Sequence, residues 1–351
     1  MVLKDNCGRP LLNLRISITQ RCNLRCDYCH KEGEEIGSCS RGTAEEMTVD
    51  EIVRIARIAV SLDIARIKLT GGEPFIRKDL CDIVKGIAGI PRLKDLSMTT
   101  NGTMLCFQAQ ELHACGLRRV NISLPTLNAD VYHKLTDGRI ENVLDGVKAA
   151  VAAGLYPVKL NMVILNGVNV DAVPEMMDFA RQTGTILQLI ELDPINVDTA
   201  YYSAYHKFLD EHEAMLKQKA LKVETRRFMH NRRIYYMPDV TVEVVHPIEN
   251  RDFCMHCTRL RVTSDGKLKP CLMRNDNVVD ILTPMRRGAS DEEVKLLFMC
   301  ANQLREPYNK GKQATSNQIV RATKSRHKQS ARFTIQEKAK RRRFFRFTKA
   351  F

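Results

Sequence analysis

Three cysteines, Cys22, Cys26 and Cys29, form a C-x3-C-x2-C triplet just after a short apolar–polar strand. Three thiolates this close leave a tetrahedral zinc ion one ligand short. They suit three irons of a cubane [4Fe–4S] cluster whose fourth iron stays open. Tyr28, directly before the third cysteine, would shield such a cluster from water. Farther on, Gly71-Gly72-Glu73-Pro74 offers paired glycines where a backbone must approach a charged ligand, with Glu73 or the backbone itself able to receive an ammonium group. A second group, Cys254-Met255-His256-Cys257 with Cys271, suits a structural zinc site equally well when read alone. Two features favour a second open-iron cluster. His256 lies between the paired cysteines, where closing the same tetrahedron is awkward, and residues 258–262 alternate as a strand that projects Arg259 and Arg261 to one side.

The elements that must position these groups read as strand and helix in alternation. Strands are expected at 14–19, 66–70, 95–99, 119–124, 158–163 and 186–192, with helices near 80–87, 109–115, 140–153 and 171–182. Thr48-x-x-Glu51 is a capping box that opens another helix, with Ile52, Ile55, Ala56 and Ala59 as its apolar stripe. Six βα units in succession predict a parallel α/β sheet. Its strands are not the continuous apolar runs of a sheet buried on both faces. Arg15, Ser17 and Thr19, then Arg66, Lys68 and Thr70, then Asn121 and Ser123, then Lys159 and Asn161 alternate with apolar residues. The apolar set would pack on helices and the polar set would face a lumen too polar for a packed barrel core. No G-x4-G-K-[ST] loop occurs, so a phosphate in that lumen would be held by side chains such as Arg15, Lys68, Lys159, Arg259 and Arg261. Beyond Pro194 a helix near 203–219 leads into short strands near 223–227, 234–237 and 241–246, and a helix over 291–303 closes the body.

The net charge of +14 would suggest a nucleic-acid partner if it were spread over the chain. It is not: residues 308–351 hold 14 of the 55 lysines and arginines and one acid, Glu337. That stretch has the composition of a disordered tail rather than an RNA-binding arm. The first ten residues carry no apolar signal-peptide core, and no window approaches the ~18 apolar residues of a membrane span. Twelve cysteines in such a chain predict a reducing cytoplasm and metal ligation rather than disulfides, with Cys7, Cys39, Cys81, Cys106, Cys115 and Cys300 as small core or loop residues.

Taken together, C-x3-C-x2-C, GGEP, Thr99-Thr100-Asn101-Gly102, Asn121-Ile122-Ser123-Leu124 and C-x2-C-T-R-x-R…C resemble the GTP 3′,8-cyclase family of the radical S-adenosylmethionine (SAM) superfamily, in its archaeal rather than bacterial form. The resemblance implies a partial (βα)6 radical SAM barrel over 1–194, a smaller C-terminal α+β region over 195–307 carrying a second iron–sulfur cluster, and a separate tail at 308–351. It implies two [4Fe–4S] clusters, one on Cys22, Cys26 and Cys29 and one on Cys254, Cys257 and Cys271, the latter facing the guanine of GTP. Tyr28, Gly72, Ser123 and Asp193 match SAM-binding positions. Arg15, Lys68, Thr99, Lys159, Arg259 and Arg261 match GTP-binding positions, with Arg15, Arg259 and Arg261 also assigned to catalysis. The implied reaction is the first step of molybdenum cofactor biosynthesis, in which a 5′-deoxyadenosyl radical takes hydrogen from ribose C3′, the resulting carbon radical closes onto guanine C8, and a further electron and proton quench the product radical. A homodimer, a low-potential electron donor and a downstream cyclic pyranopterin monophosphate synthase are the implied partners, with no membrane or nucleic acid required.

Three positions depart from the family pattern. Asp193 stands where methionine is frequent, Gln188 where bacterial members carry arginine on the sixth strand, and the chain ends Lys349-Ala350-Phe351 instead of in a double glycine. Asp193 with Pro194, Ile195 and Asn196 either caps the SAM site or only makes a turn. A peptide-modifying radical SAM enzyme with an auxiliary cluster is the competing enzyme reading. It would normally bring a longer cysteine-rich C-terminal region. A zinc-stapled RNA-binding protein is the non-enzyme reading, and it leaves GGEP and the polar strand faces without a purpose.

Overall fold

In a computed structural model that describes residues 2–34 and 46–309, the alternating pattern becomes one curled sheet. Its strands are β1 (Asn13–Ser17), β2 (Arg66–Thr70), β3 (Asp95–Thr100), β4 (Arg119–Ser123), β5 (Val158–Ile164), β6 (Ile186–Glu191), β7 (Lys222–Arg226), β8 (Arg232–Tyr236), β9 (Thr241–Val245), β10 (Arg259–Val262), β11 (Lys267–Lys269) and β12 (Val279–Asp280). The longer helices are α1 (Val49–Ser61), α2 (Leu80–Ala88), α3 (Leu105–Ala114), α4 (Ala129–Thr136), α5 (Ile140–Ala152), α6 (Val173–Thr183), α7 (Thr199–Tyr205) and α8 (Asp210–Lys219), followed by α9 (Arg251–Met255), α10 (Leu282–Arg286) and α11 (Asp291–Gln303). The sheet order is β12-β11-β10-β1-β2-β3-β4-β5-β6-β9-β8-β7. Strands β1 to β6 run parallel to their neighbours, and β10 and β9 add in parallel to β1 and β6. The C-terminal strands thus extend the same sheet at both of its edges.

The two edges meet. Thr258 Oγ1, just ahead of β10, donates to the Phe228 carbonyl in the β7–β8 turn at 2.7 Å, and His230 N–H donates to the His256 carbonyl at 3.1 Å. These strands lie far apart in sheet order, so only a strongly curled sheet brings them into contact. The face toward the helices is dry: Ile16, Ile67, Leu69, Ile122, Leu160 and Met162 are buried in the main core. Their neighbours Arg15, Lys68, Asn121 and Lys159 point the other way, into the lumen.

Helix starts follow local chemistry. Thr48 and Glu51 form the capping box reciprocally, Ser290 and Glu293 form another at α11, and Ile52, Ile55, Ala56 and Ala59 are buried. Thr48→Ala is expected to cost about 1 kcal/mol, read as a lower denaturant midpoint at unchanged slope.

Several expectations are corrected. The helix near 203–219 is two helices, because the chain turns extended at His206 before α8 begins. Helix α4, capped by the Asn128 side chain accepting from Val131 N–H, is only eight residues long and is not among the expected helices. Cys81 on α2 and Cys115 at the end of α3 form a disulfide across a 6.3 Å Cα separation, so these two are not free core thiols. Cys39 and the tail beyond residue 309 lie outside the described residues. Among the described residues no helix is long and apolar enough to cross a membrane.

Candidate active site

The chain directions place the two cysteine loops at opposite ends of the lumen. Cys22–Cys29 follows the C-terminal end of β1, whereas Cys254 and Cys257 precede β10, which runs parallel to β1. Cys271 follows β11, which runs antiparallel to β10, and so returns to the same end as Cys254 and Cys257. Between the loops lies a strand length of about 15 Å, with Arg15 paired in register with Arg261 on one side and Lys68 on the other.

The first loop is held by its backbone. Arg25 N–H donates to the Thr136 carbonyl and Asp27 N–H to the Leu135 carbonyl, fixing the loop against the end of α4. Tyr28 packs with Leu135, Leu165 and Leu192, and burial beside Cys26 pushes its hydroxyl pKa well above the usual tyrosine value. Burial and the neighbouring Cys29 and Cys22 push the Cys26 thiol up to about 12. The thiols therefore sit within electrostatic range of one another, and as thiolates they repel until a cation joins them. Among the described residues no three such side chains converge on a single-ion site. Three cysteine thiols on one short loop suit the separate corners of a cubane.

GGEP is pinned to this loop. Gly72 N–H donates to the Thr19 carbonyl at 2.7 Å and Glu73 N–H to the Arg21 carbonyl at 2.8 Å. A Cβ on Gly72 would stand 2.1 Å from the Arg21 carbonyl oxygen, and one on Gly71, whose φ is +148°, 2.3 Å from that of Thr19. No side chain fits there. Glu73 is not a free carboxylate: it accepts from Thr100 Oγ1 at 2.7 Å, Asn101 N–H at 2.7 Å and Phe75 N–H at 3.2 Å. Burial raises its pKa to about 7 despite these donors. Its work is to lock GGEP onto TTNG, which leaves the glycine backbone as the part that can meet a ligand.

At the second loop, Cys271 feels Cys257 and Cys254, so these three thiols also share one neighbourhood. The backbone here is braced by buried arginines. Arg9 Nη1 donates to the Cys254 carbonyl at 2.8 Å and Arg305 Nη2 to the Cys257 carbonyl at 2.5 Å, while both arginines meet Asp5. Burial raises the Cys257 pKa, but Arg305, Arg259 and Arg9 outweigh it and leave the thiol below its usual value. Three thiols in a cationic setting have the donor chemistry that would hold an iron–sulfur cluster.

The lumen collects the expected cations. Arg15 Nη2 donates to Thr99 Oγ1 at 3.3 Å, and Lys68 Nζ donates to Asn121 Oδ1 at 2.6 Å. Lys159 is ion-paired with Glu243, and Arg261 with Glu32 at 3.1 Å. Among the described residues Arg259 meets no carboxylate within ion-pair range. Burial and the neighbouring Arg261, Arg15 and Arg232 hold its pKa well below the usual arginine value. Burial, then Arg119, Arg15, Arg259 and Lys159, do the same to Lys68. Cations from β2, β5 and β10 thus share one low-dielectric space. Ser123 ends β4 opposite Asn161, near the rim. Asp193 beyond β6 leaves Oδ1 buried without a partner, and burial raises its pKa to about 7. Gln188 is neutral and buried, accepting from Asn121.

Four lumen groups were not anticipated from the sequence. Glu32, in the turn after Cys29, accepts from Thr70 and Arg261 and faces Arg15, and these cations hold its pKa at about 2 against the pull of burial. Glu243 on β9 is fully buried and takes Lys159, Arg226 and Arg232 together. Arg226 and Arg232 come from strands outside the βα repeat, and no sequence period marks them as lumen residues.

A family model described as the radical SAM superfamily matches residues 16–180, and one described as Molybdenum Cofactor Synthesis C matches 185–311. A probable GTP 3′,8-cyclase of Methanocaldococcus jannaschii is 44% identical over 310 residues, covering 88% of this chain and 99% of that protein. The chain belongs to the GTP 3′,8-cyclase family. Another member of the family, the probable GTP 3′,8-cyclase of Thermococcus kodakarensis, is 47% identical over 315 residues, again covering 88% of this chain and 99% of its own. Among solved structures, Streptococcus suis SuiB bound to S-adenosylmethionine aligns with TM-score 0.56 at 17% identity, over 74% of this chain and 60% of that one. The anSMEcpe structure with bound AdoMet aligns with TM-score 0.53 at 16% identity, over 75% of each chain. At such identities these two likenesses bear on the fold alone: this cyclase-family chain has the radical SAM fold.

Proposed function

We propose that the protein converts GTP to (8S)-3′,8-cyclo-7,8-dihydroguanosine 5′-triphosphate, the first step of molybdenum cofactor biosynthesis. Cys22, Cys26 and Cys29 would hold one [4Fe–4S] cluster and Cys254, Cys257 and Cys271 a second. The observation that carries the reading is the surplus of buried and half-buried positive charge between the two cysteine loops. Among the described residues, Arg15, Lys68, Lys159, Arg259 and Arg261, joined by Arg226 and Arg232, face the carboxylates Glu32, Glu243 and Asp193 and no others. Burying a cation without a counter-charge costs several kcal/mol. A polyanion the size of a triphosphate offsets that cost.

When bound, SAM and the first cluster would supply a one-electron cleavage that yields the 5′-deoxyadenosyl radical, so a low-potential electron donor is needed for that electron and for the further one that, with a proton, quenches the cyclised radical. The protein's part is placement. The Gly71-Gly72 backbone would receive the methionine end of SAM, with Tyr28 covering the cluster side and Ser123 and Asp193 at the rim. Arg15, Lys68, Thr99, Lys159, Arg259 and Arg261 would hold the nucleotide, with guanine toward the second cysteine loop and ribose toward the first. Arg15, Arg259 and Arg261 lie nearest the reacting nucleotide in this arrangement. A cation-lined lumen would fix ribose and base for intramolecular closure. A homodimer and transfer of the product to a cyclic pyranopterin monophosphate synthase complete the proposal.

The test is anaerobic turnover of cluster-loaded protein with SAM and a strong reductant, followed by mass spectrometry. The expected result is 5′-deoxyadenosine formed only when GTP is present, together with a cyclised isomer of GTP. SAM cleavage that is indifferent to GTP would overturn the substrate assignment.

A further inference from the structure

Beyond the residues that motif matching assigns, one wall of the lumen is built from the β7–β8 hairpin. Arg232 opens β8, and its Nε donates to the Met229 carbonyl at 3.0 Å while Nη1 lies 3.3 Å from Glu243 Oε1. Its side chain is 9% exposed. Arg226, its partner in register on β7, reaches the same carboxylate at 3.1 Å, and Lys159 reaches it from β5. One buried carboxylate therefore serves three cations. Gln188, which stands opposite Glu243 in the β6–β9 register, adds no charge. The sheet's curl brings Arg232 within electrostatic range of Arg15 and Arg259 on the far edge, as the burial-led lowering of both groups, with Arg232 contributing, indicates. Arg232 thus belongs to the same charged space as the arginines of β1 and β10.

We propose that Arg232, assisted by Arg226, is a phosphate-binding residue of this site, contacting the polyphosphate end of the nucleotide. The proposal rests on the GTP reading above. A guanidinium already held by a backbone carbonyl and one carboxylate is pre-oriented, and its planar fork matches a phosphate better than a lysine would. Shared among three cations, Glu243 leaves most of their charge for an incoming anion. The alternative is purely structural, with Arg232 only fastening the hairpin to β9.

The two roles separate by ligand. Affinities of cluster-loaded protein for GTP, GMP and guanosine would be measured anaerobically, without reductant, for the wild type, Arg232→Gln and Arg232→Lys. The expected result is a roughly 10- to 100-fold loss of GTP affinity in R232Q with guanosine affinity unchanged, and partial recovery in R232K. Equal losses for GTP and guanosine, or unchanged GTP affinity in a folded R232Q, would overturn the proposal. Should R232Q fail to fold, Arg226→Gln, at a more exposed position, is expected to show the same GTP-selective loss in smaller measure. Its absence there would likewise count against the proposal. A wild type that binds guanosine as tightly as GTP would overturn the nucleotide reading itself. A wild type that prefers GTP alongside an R232Q that prefers it equally would overturn only the role of Arg232.

Discussion

Cys26→Ala is expected to abolish SAM cleavage and to remove about half of the bound iron and acid-labile sulfide, while the melting temperature of the rest of the fold stays nearly unchanged. The loop that carries Cys26 is fixed mainly by backbone bonds to Thr136 and Leu135 and by Tyr28 in its apolar cluster, with the thiol adding a side-chain hydrogen bond to Tyr28. The thiol's own role is electrostatic and coordinative. Burial and then its neighbours raise its pKa, so the thiol has little reason to ionise without a metal centre, and two remaining thiolates cannot hold a cubane that three were placed to hold. Cys257→Ala should show the complementary pattern, with the other half of the iron lost and SAM cleavage retained but no longer coupled to GTP. Iron and sulfide analysis, electron paramagnetic resonance and 5′-deoxyadenosine yield separate the two variants. A C26A protein that kept a full complement of iron and cleaved SAM would remove these cysteines from the chemistry. Parallel losses in both variants would mean that the loops do not serve independent centres.

Much of this site could be read in advance because its chemistry is local in sequence. The cysteine triplet, the glycine pair and the Thr48 capping box each lie within a few residues and carry their own physical signature. The alternation of Arg15, Lys68, Asn121 and Lys159 with apolar neighbours was enough to infer a polar lumen, because strand period alone sets which face a residue takes. What escaped depends on curvature. Glu243 sits between Val242 and Val244, a pattern equally suited to a solvated edge strand. Only the closure of the β7–β8 turn onto the loop before β10 makes Glu243 a buried counter-ion and Arg232 a lumen residue. Glu32 was hidden differently, in a turn whose Lys31 and Glu32 adopt left-handed φ values of 46° and 53° that no periodicity marks. Glu73 was visible but ambiguous, and its three protein donors resolve it toward holding the loop. The Cys81–Cys115 disulfide joins residues 34 apart with no spacing cue.

Glu243 gives the largest expected effect on stability. Glu243→Gln keeps the shape of the side chain but leaves Lys159, Arg226 and Arg232 without their shared counter-charge. Removing one member of a buried charge group costs about 3–5 kcal/mol, and in a chain of this size that lowers the melting temperature of the ligand-free protein by about 4–8 °C. The loss should depend on pH in a definite direction. Burial lowers the Lys159 pKa and Glu243 raises it, the balance in the wild type falling at about 8. Without Glu243 the lysine's folded pKa drops further, while in the unfolded chain it stays at the ordinary lysine value. A folded state that binds fewer protons than the unfolded state gains stability as pH rises through its own pKa. The variant begins that gain at a lower pH than the wild type, so its deficit should be widest near pH 6 and shrink toward pH 8. The arginines cannot escape in this way, so part of the deficit remains at every pH and should yield only to an anion. GTP is therefore expected to raise the melting temperature of E243Q by more than that of the wild type, since it supplies the charge that the substitution removed. Anaerobic thermal melts at pH 6 and pH 8, each with and without GTP, test both dependences. A pH-independent deficit would mean that Lys159 is not desolvated beside Glu243. A variant as stable as the wild type would mean that water, not this carboxylate, balances the charge of the lumen.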